Sequence, residues 1–106
     1  MAVDTNNLFN QMVSAGQGLA GGIWQQMHSY AIPELKKIAD QIGSIATSGF
    51  KPAAMVELLK MQIDAAVTVI VAMTALAMQL VQDAINAIMN AVKDLVNGAV
   101  GIPLIG

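Results

Sequence analysis

The side chains that could do chemistry in this chain are few and widely separated. Its seven carboxylates include no pair spaced to share one compact face, as a general acid and base must. His28 is the single histidine, and there is no cysteine to act as a nucleophile or to bind a metal. Sequence patterns for phosphate, zinc, calcium and di-iron sites are missing as well. We therefore expect a protein that is not an enzyme and that has no catalytic residue, metal or cofactor.

The charges of the chain are sparse and form no basic surface. Charged residues make up 11% of the sequence, and the formal net charge is −2. All five basic residues are lysines, so no arginine is present to contact a phosphate or a guanine edge in the usual forked geometry. Nucleic acid is accordingly not an expected partner.

A long uncharged stretch dominates the second half of the sequence. Residues 65–82 carry no formal charge, in a chain that is 56% hydrophobic. Soluble domains carry about twice this share of charged residues. The stretch is also close to the minimum of about 17 apolar residues that can cross a bilayer as a helix. We expect lipid, or other copies of the same chain, to cover the surface that water does not.

The prolines and glycines divide the sequence into helical stretches. The predicted fold is all-α, a helical hairpin that is stabilised by packing against other subunits. Its first arm is an N-terminal helix over about 5–47 that Pro33 either breaks or kinks, and its second arm is one very long hydrophobic helix. The predicted single domain 1–106 therefore contains a glycine-containing helix (5–31), an amphipathic helix (33–47), a turn (48–51), the long helix (52–97) and an apolar tail (98–106) that is expected to dock.

Small residues in the first helix have a spacing typical of close helix packing. Ser14, Gly18 and Gly22 recur every four residues, which lets two helix backbones approach each other. Glycine is also costly in a helix, at about 1 kcal/mol relative to alanine. We predict that these three residues form a close contact between subunits; a flexible glycine-rich joint is the alternative.

The long predicted helix has a polar stripe and an apolar remainder. The stripe has a spacing of three or four residues along most of its length and is predicted to face a lumen or solvent: Lys60, Asp64, Thr68, Gln79, Asp83, Asn86, Asn90 and Lys93. The apolar remainder is predicted to contact another subunit or lipid: Val67, Ile70, Val71, Leu76, Leu80, Val81, Ile85 and Ile88.

These patterns favour a structural subunit that self-assembles into a helical filament, tube or pilus-like polymer. The predicted partner is then the chain itself, as a homo-oligomer of many copies. The alternative is a membrane-inserting protein, pore-forming, holin-like or a small membrane component, with 65–82 as its bilayer span. Its alanine content and the absence of flanking aromatic residues make the run weak as a span. Bound phospholipid is compatible with both functions.

In general shape the chain resembles the subunits of bacterial and archaeal conjugative pili, through the apolar run from Ala65 and the lysine-bearing turn near Lys51. The resemblance implies a small helical subunit that waits in the membrane and assembles with lipid. In size and lack of cysteine the chain is also similar to R-body subunits. The polar start, with Met1 and Asp4, does not match a cleavable signal peptide. We expect an extracellular or cell-surface filament, with membrane association before assembly as a further option.

Overall fold

The computed structural model describes residues 3–106, and within that range it contains five α-helices and no β-strand. The predicted all-α class is confirmed. Met1 and Ala2, with which the predicted domain begins, lie outside the described residues. The helices are α1 (Thr5–Gln17), α2 (Ile23–Ala46), α3 (Pro52–Thr74), α4 (Met78–Ala91) and α5 (Lys93–Val100).

The first helix begins at a side-chain cap and ends at a glycine-rich reversal. The carboxylate of Asp4 accepts a hydrogen bond from the backbone N–H of Asn7 at 3.0 Å, which satisfies one of the free donors at the start of α1. After α1, Gly21 and Gly22 adopt φ values of 77° and 69°. Glycine reaches this left-handed region without the steric cost that a side chain imposes. The chain therefore reverses here and enters α2.

α1 and α2 pack as an antiparallel pair, in contact near both ends. At one end, a Cβ atom added to Gly16 would overlap the ring of Trp24. At the other end, a Cβ atom added to Gly43 would lie 2.7 Å from Cγ2 of Thr5. Both glycines thus allow an approach between the two helices that a larger residue would block.

The N-terminal helix is divided at the glycines and not at Pro33, which corrects the predicted bounds 5–31 and 33–47. α2 continues through Pro33 as one helix of 24 residues. The ring of a proline removes one helical hydrogen bond and usually bends or breaks a helix. Here the neighbouring side chains Ala31, Leu35 and Ile38 are all buried in the core, and this packing holds the helix together on both sides of the proline.

The very long helix predicted over 52–97 is absent, because the chain breaks at 75–77 and again at Val92. At the first break Ala75 adopts a left-handed conformation with φ 60° and ψ 16°. A straight helix over 52–91 would be about 60 Å long at about 1.5 Å per residue, whereas the longest dimension of the fold is 37 Å. Folding the chain back lets α3 bury its apolar face on α2 and α4 bury its apolar face on α1.

The same break divides the predicted bilayer span 65–82 between α3 and α4. Among residues 3–106, none of the helices has both the length and the apolar character needed to cross a membrane.

Four helices form a ring around the core, in place of the predicted two-armed hairpin. α1 packs against α2 and α4, and α3 also packs against α2 and α4, while α5 packs mainly against α2 and follows α4. At about 1.5 Å per residue, α2 is about 36 Å long and so spans the whole molecule. The largest fully buried side chains come from all of these ring helices and from Val92: Leu8, Met12, Met27, Leu35, Ile38, Ile42, Ile45, Ile70, Val81, Ile85, Ile88 and Val92.

Glu34 is the one buried charged residue in the described part of the chain, with a relative exposure of 5%. Its carboxylate accepts a hydrogen bond from Lys37 Nζ at 3.0 Å, one helical turn along α2. A carboxylate removed from water is costly unless it is paired. The lysine, whose side chain is 62% exposed, supplies that partner from the surface.

Candidate functional site

The outward face of α3 is apolar although it is exposed. Six residues on this face are separated alternately by four and three positions: Ala54, Leu58, Met61, Ala65, Thr68 and Ala72. We call them the α3 seam. All are exposed except Leu58, which is half-buried, and Met61 at the centre is 59% exposed. A period of about 3.5 residues is the spacing at which one helix packs along another.

The two edges of the α3 seam differ in chemistry. One edge is apolar and carries Val69 and Met73, whose exposures are 40% and 57%. The other edge is polar and carries Glu57, Lys60 and Asp64, all exposed. On the opposite side of the helix, the buried residues of α3 face the core. The apolar stripe is therefore additional to the one that the fold uses.

A pocket of about 470 Å³ lies between α3, α4 and the C-terminal tail. Its size falls in the range of small-molecule sites, which is about 300–1,000 Å³. Part of its wall is apolar and includes Leu59, Ile63 and Met89. The polar wall brings together side chains that are distant in the sequence, from both sides of the break at 75–77: Lys60, Asp64, Gln82, Asn86 and Asn90.

The C-terminal tail forms the remaining wall of the pocket and is docked on its own chain. Leu104 is 4% exposed and joins the core. The side chain of Asn97 makes two hydrogen bonds with the backbone of Ile105: Nδ2 donates to the carbonyl at 3.0 Å, and Oδ1 accepts from the N–H at 2.9 Å. The sequence suggested a tail that docks, and here the docking partner is intramolecular.

The predicted polar stripe is exposed along nearly all its length. Lys60, Asp64, Thr68, Gln79, Asp83, Asn86 and Asn90 are exposed, and Lys93 is half-buried. Because α3 and α4 are folded back, four of these residues line the pocket. The other three exposed residues make local hydrogen bonds: Thr68 Oγ1 donates to the Asp64 carbonyl at 2.9 Å, and Gln79 Nε2 donates to Asp83 Oδ1 at 2.8 Å.

Most of the apolar residues predicted to contact a subunit or lipid are instead packed inside the chain. Val67, Ile70, Val81, Ile85 and Ile88 are buried in the core. Two more are half-buried, Val71 and Leu76, and Leu80 is 46% exposed.

Ser14, Gly18 and Gly22, predicted to form one close-packing face, do not share a helix. α1 ends at Gln17, so Gly18 is its C-cap, and Gly22 lies in the reversal before α2. All three are exposed. This part of the chain is a glycine-rich reversal between α1 and α2.

Apart from Thr68, which belongs to the predicted polar stripe, the exposed residues of the α3 seam and its apolar edge are the part of the site that sequence reasoning missed. Their 3.5-residue spacing was readable in the sequence. The core-facing residues of the same helix have almost the same period, so spacing alone did not indicate which apolar face would remain exposed. Only the packing of α3 against α2 and α4 shows which of its two apolar faces is buried and which is exposed.

His28 and the carboxylates form no cluster in the described residues. His28 is exposed, and its Nδ1 lies 3.1 Å from the carbonyl oxygen of Gln25. Within residues 3–106, no three His, Cys, Asp or Glu side chains come close enough together to hold a metal ion.

Comparison with family models, with curated proteins and with solved structures gives no match for this chain.

Proposed function

We propose that this protein is a structural subunit that assembles with copies of itself. The α3 seam is one of the two surfaces through which the copies contact each other. The observation that carries the proposal is an exposed apolar stripe with the 3.5-residue spacing of paired helices on a helix that already has a buried face. Contiguous exposed apolar surface of this kind marks interaction sites in proteins. A second copy of the chain is the partner that presents the same spacing.

The different chemistry of the two edges of the α3 seam favours an antiparallel pairing of two α3 helices. In an antiparallel pair related by a two-fold axis, like edges of the two helices meet. The apolar edges with Val69 and Met73 would then cover each other. If the pair crosses near residue 62, Lys60 of each copy faces Asp64 of the other, which gives two opposite-charge contacts at the polar edge. The three alanines of the α3 seam, Ala54, Ala65 and Ala72, allow the backbones to approach closely, because their side chains are small.

A filament, tube or pilus-like polymer requires more than this one contact. A two-fold contact uses the same surface on both partners and therefore closes at a dimer. An open polymer forms when a second contact, on another part of the chain, joins the dimers. We propose such an assembly, with many copies, as the function, and an extracellular or cell-surface location for it.

Substitution at the centre of the α3 seam tests the proposal. Met61→Glu brings two carboxylates together in the antiparallel pair, and juxtaposed like charges cost several kcal/mol. At about 1.4 kcal/mol per factor of ten, association should weaken about 100-fold. Phe50→Glu is the matched control: Phe50 is 53% exposed, like Met61 a large apolar side chain, but it lies in the turn before α3. Sedimentation velocity in detergent-free buffer measures both.

Loss of assembly with Met61→Glu and retention with Phe50→Glu would support the proposal. Equal assembly of both variants and the unsubstituted chain would contradict the α3 seam as the contact.

Measurements on the same samples distinguish the membrane-inserting alternative from self-assembly. Exposed Met73, Met78 and Leu80 cluster around the break between α3 and α4, and such side chains can also contact acyl chains. A discrete oligomer that forms only in detergent or liposomes would favour that alternative. Phospholipid recovered by extraction from detergent-free polymers would instead identify lipid as a component of the assembly.

A further inference from the structure

The break between α3 and α4 is held by a strained residue. Ala75, with φ 60°, is the one non-glycine residue with positive φ among residues 3–106, and it is exposed. For a residue with a side chain, this left-handed conformation is unfavourable because Cβ approaches the following carbonyl oxygen. Because Ala75 is exposed, burial of its side chain does not compensate for this cost.

The hydrogen bonds around the break are local and few. Thr74 Oγ1 donates to the Ile70 carbonyl at 2.6 Å and accepts from the Leu76 N–H at 3.2 Å. The N–H of Ala75 donates to the Val71 carbonyl at 2.9 Å. Ala77, at the start of α4, provides no side-chain cap, although capping residues are strongly preferred there. The sequence around the break contains neither glycine nor proline, so its residues are also compatible with a continuous helix.

The core-facing residues of α3 and α4 keep one helical register across the break. Ile70 is the last fully buried residue of α3, and Val81 is the first of α4. They are 11 residues apart, which is about three turns of an α-helix. If residues 52–91 formed one straight helix, the buried side chains of both halves would therefore lie on the same face: Leu59, Ala66, Ile70, Val81, Ala84 and Ile88.

We infer that the 75–77 break is a hinge through which two copies of the chain exchange α4 and α5. In the exchanged form, α3 and α4 join into one straight helix, and residues 78–106 of each copy pack on α1, α2 and α3 of the other. The contacts of α4 with α1 and α3 are kept, because each copy supplies an identical partner. Only the hinge changes: Ala75 leaves its strained conformation, and short strained hinges are known to promote exchange.

This inference rests on the proposed function, because it takes the partner to be a second copy of the chain. It also provides the second contact between copies that an open polymer requires. The seam joins two copies by one surface and the exchange joins two copies by another, and alternation of two such contacts gives an open polymer when the geometry does not close into a ring.

A distance measured within one chain distinguishes the two forms. Val56 and Asn90 are exposed, lie away from the α3 seam and line the same pocket, so spin labels at Val56→Cys and Asn90→Cys are close together when α4 is folded back. In a straight helix the same two residues are about 51 Å apart at about 1.5 Å per residue. The chain has no cysteine of its own, so labelling is specific. Dilution into excess unlabelled protein limits the measurement to distances within one chain.

Two glycine variants of the labelled chain test the role of the hinge. Ala75→Gly removes the left-handed strain from the folded-back form and also disfavours the straight helix, so the ratio of exchanged to unexchanged chains should fall about 30-fold. Ala77→Gly is the matched control. Ala77 has φ −61° and ψ 136°, where no such strain exists, so only the helix penalty acts and the ratio should fall about fivefold.

The long distance in the oligomeric fraction, together with the larger effect of Ala75→Gly, would support the exchange. Oligomers with only the short distance would overturn the exchange while leaving self-assembly intact. Equal effects of the two glycine variants would overturn the role of Ala75. A chain that forms no oligomer at any concentration would contradict both the exchange and the proposed function.

Discussion

At the residue scale, Asn97 is the side chain on which the position of the tail depends most directly. It pairs with both backbone groups of Ile105, as a neighbouring strand would. Leu104 of the tail is buried, and Ile102 and Ile105 are half-buried against the core, so these hydrogen bonds accompany an apolar contact. The sequence identified Asn97 as the last residue of the long predicted helix and gave it no bonding partner. The bonding partner is eight residues away across a reversal at Gly101, whose φ of 86° no sequence spacing specified.

Replacement of this amide should loosen the tail. Asn97→Ala leaves two backbone groups without their partner, and the free energy of unfolding should fall by about 1–2 kcal/mol. Hydrogen exchange at Ile105 should become faster. Asn90→Ala is the control, because Asn90 is exposed and its side chain makes no hydrogen bond within the described residues; its effect should stay within about 0.5 kcal/mol. Equal effects in urea denaturation would show that the Asn97 contacts do not hold the tail.

At the element scale, helical content was predictable, whereas the positions of the breaks between helices mostly were not. Pro52 begins α3 as its type and position indicated. By contrast, the break after Thr74 follows residues that are all acceptable in a helix, and it exists because folding back buries both apolar halves. Pro33 presents the opposite case, since packing around it keeps α2 continuous despite the lost hydrogen bond. In both places tertiary packing outweighs local preference.

Replacing a glycine by alanine should lower the stability of the fold in α1 and raise it in α5. Gly16→Ala forces a methyl group against Trp24, and overpacking of this kind costs about 1–3 kcal/mol of stability. Gly98→Ala meets no atom within 4 Å inside α5, so the gain in helix preference should stabilise the fold by about 0.5–1 kcal/mol. Urea denaturation followed by circular dichroism measures both. Stabilisation by Gly16→Ala would show that α1 and the start of α2 are not in close contact.

At the scale of the whole molecule, the low charge of the chain is only partly explained by its own core. The ring of helices buries many of the apolar residues that the sequence assigned to subunit contacts, such as Ile70 and Ile88. What remains exposed is concentrated on the outside of α3 and around its end, where Met61 and Met73 are more than half exposed. The sequence could predict that apolar surface exceeds what the fold can cover. It could not indicate which surface, because this depends on how α3 is oriented in the ring.

Sedimentation velocity of the unsubstituted chain in detergent-free buffer, over a wide range of protein concentration, is the most direct test of self-assembly. The proposed function predicts a concentration-dependent series of species that extends beyond the dimer, with ordered filaments or tubes of the same sample visible by negative-stain electron microscopy. A single species of 11.1 kDa at every concentration would contradict it.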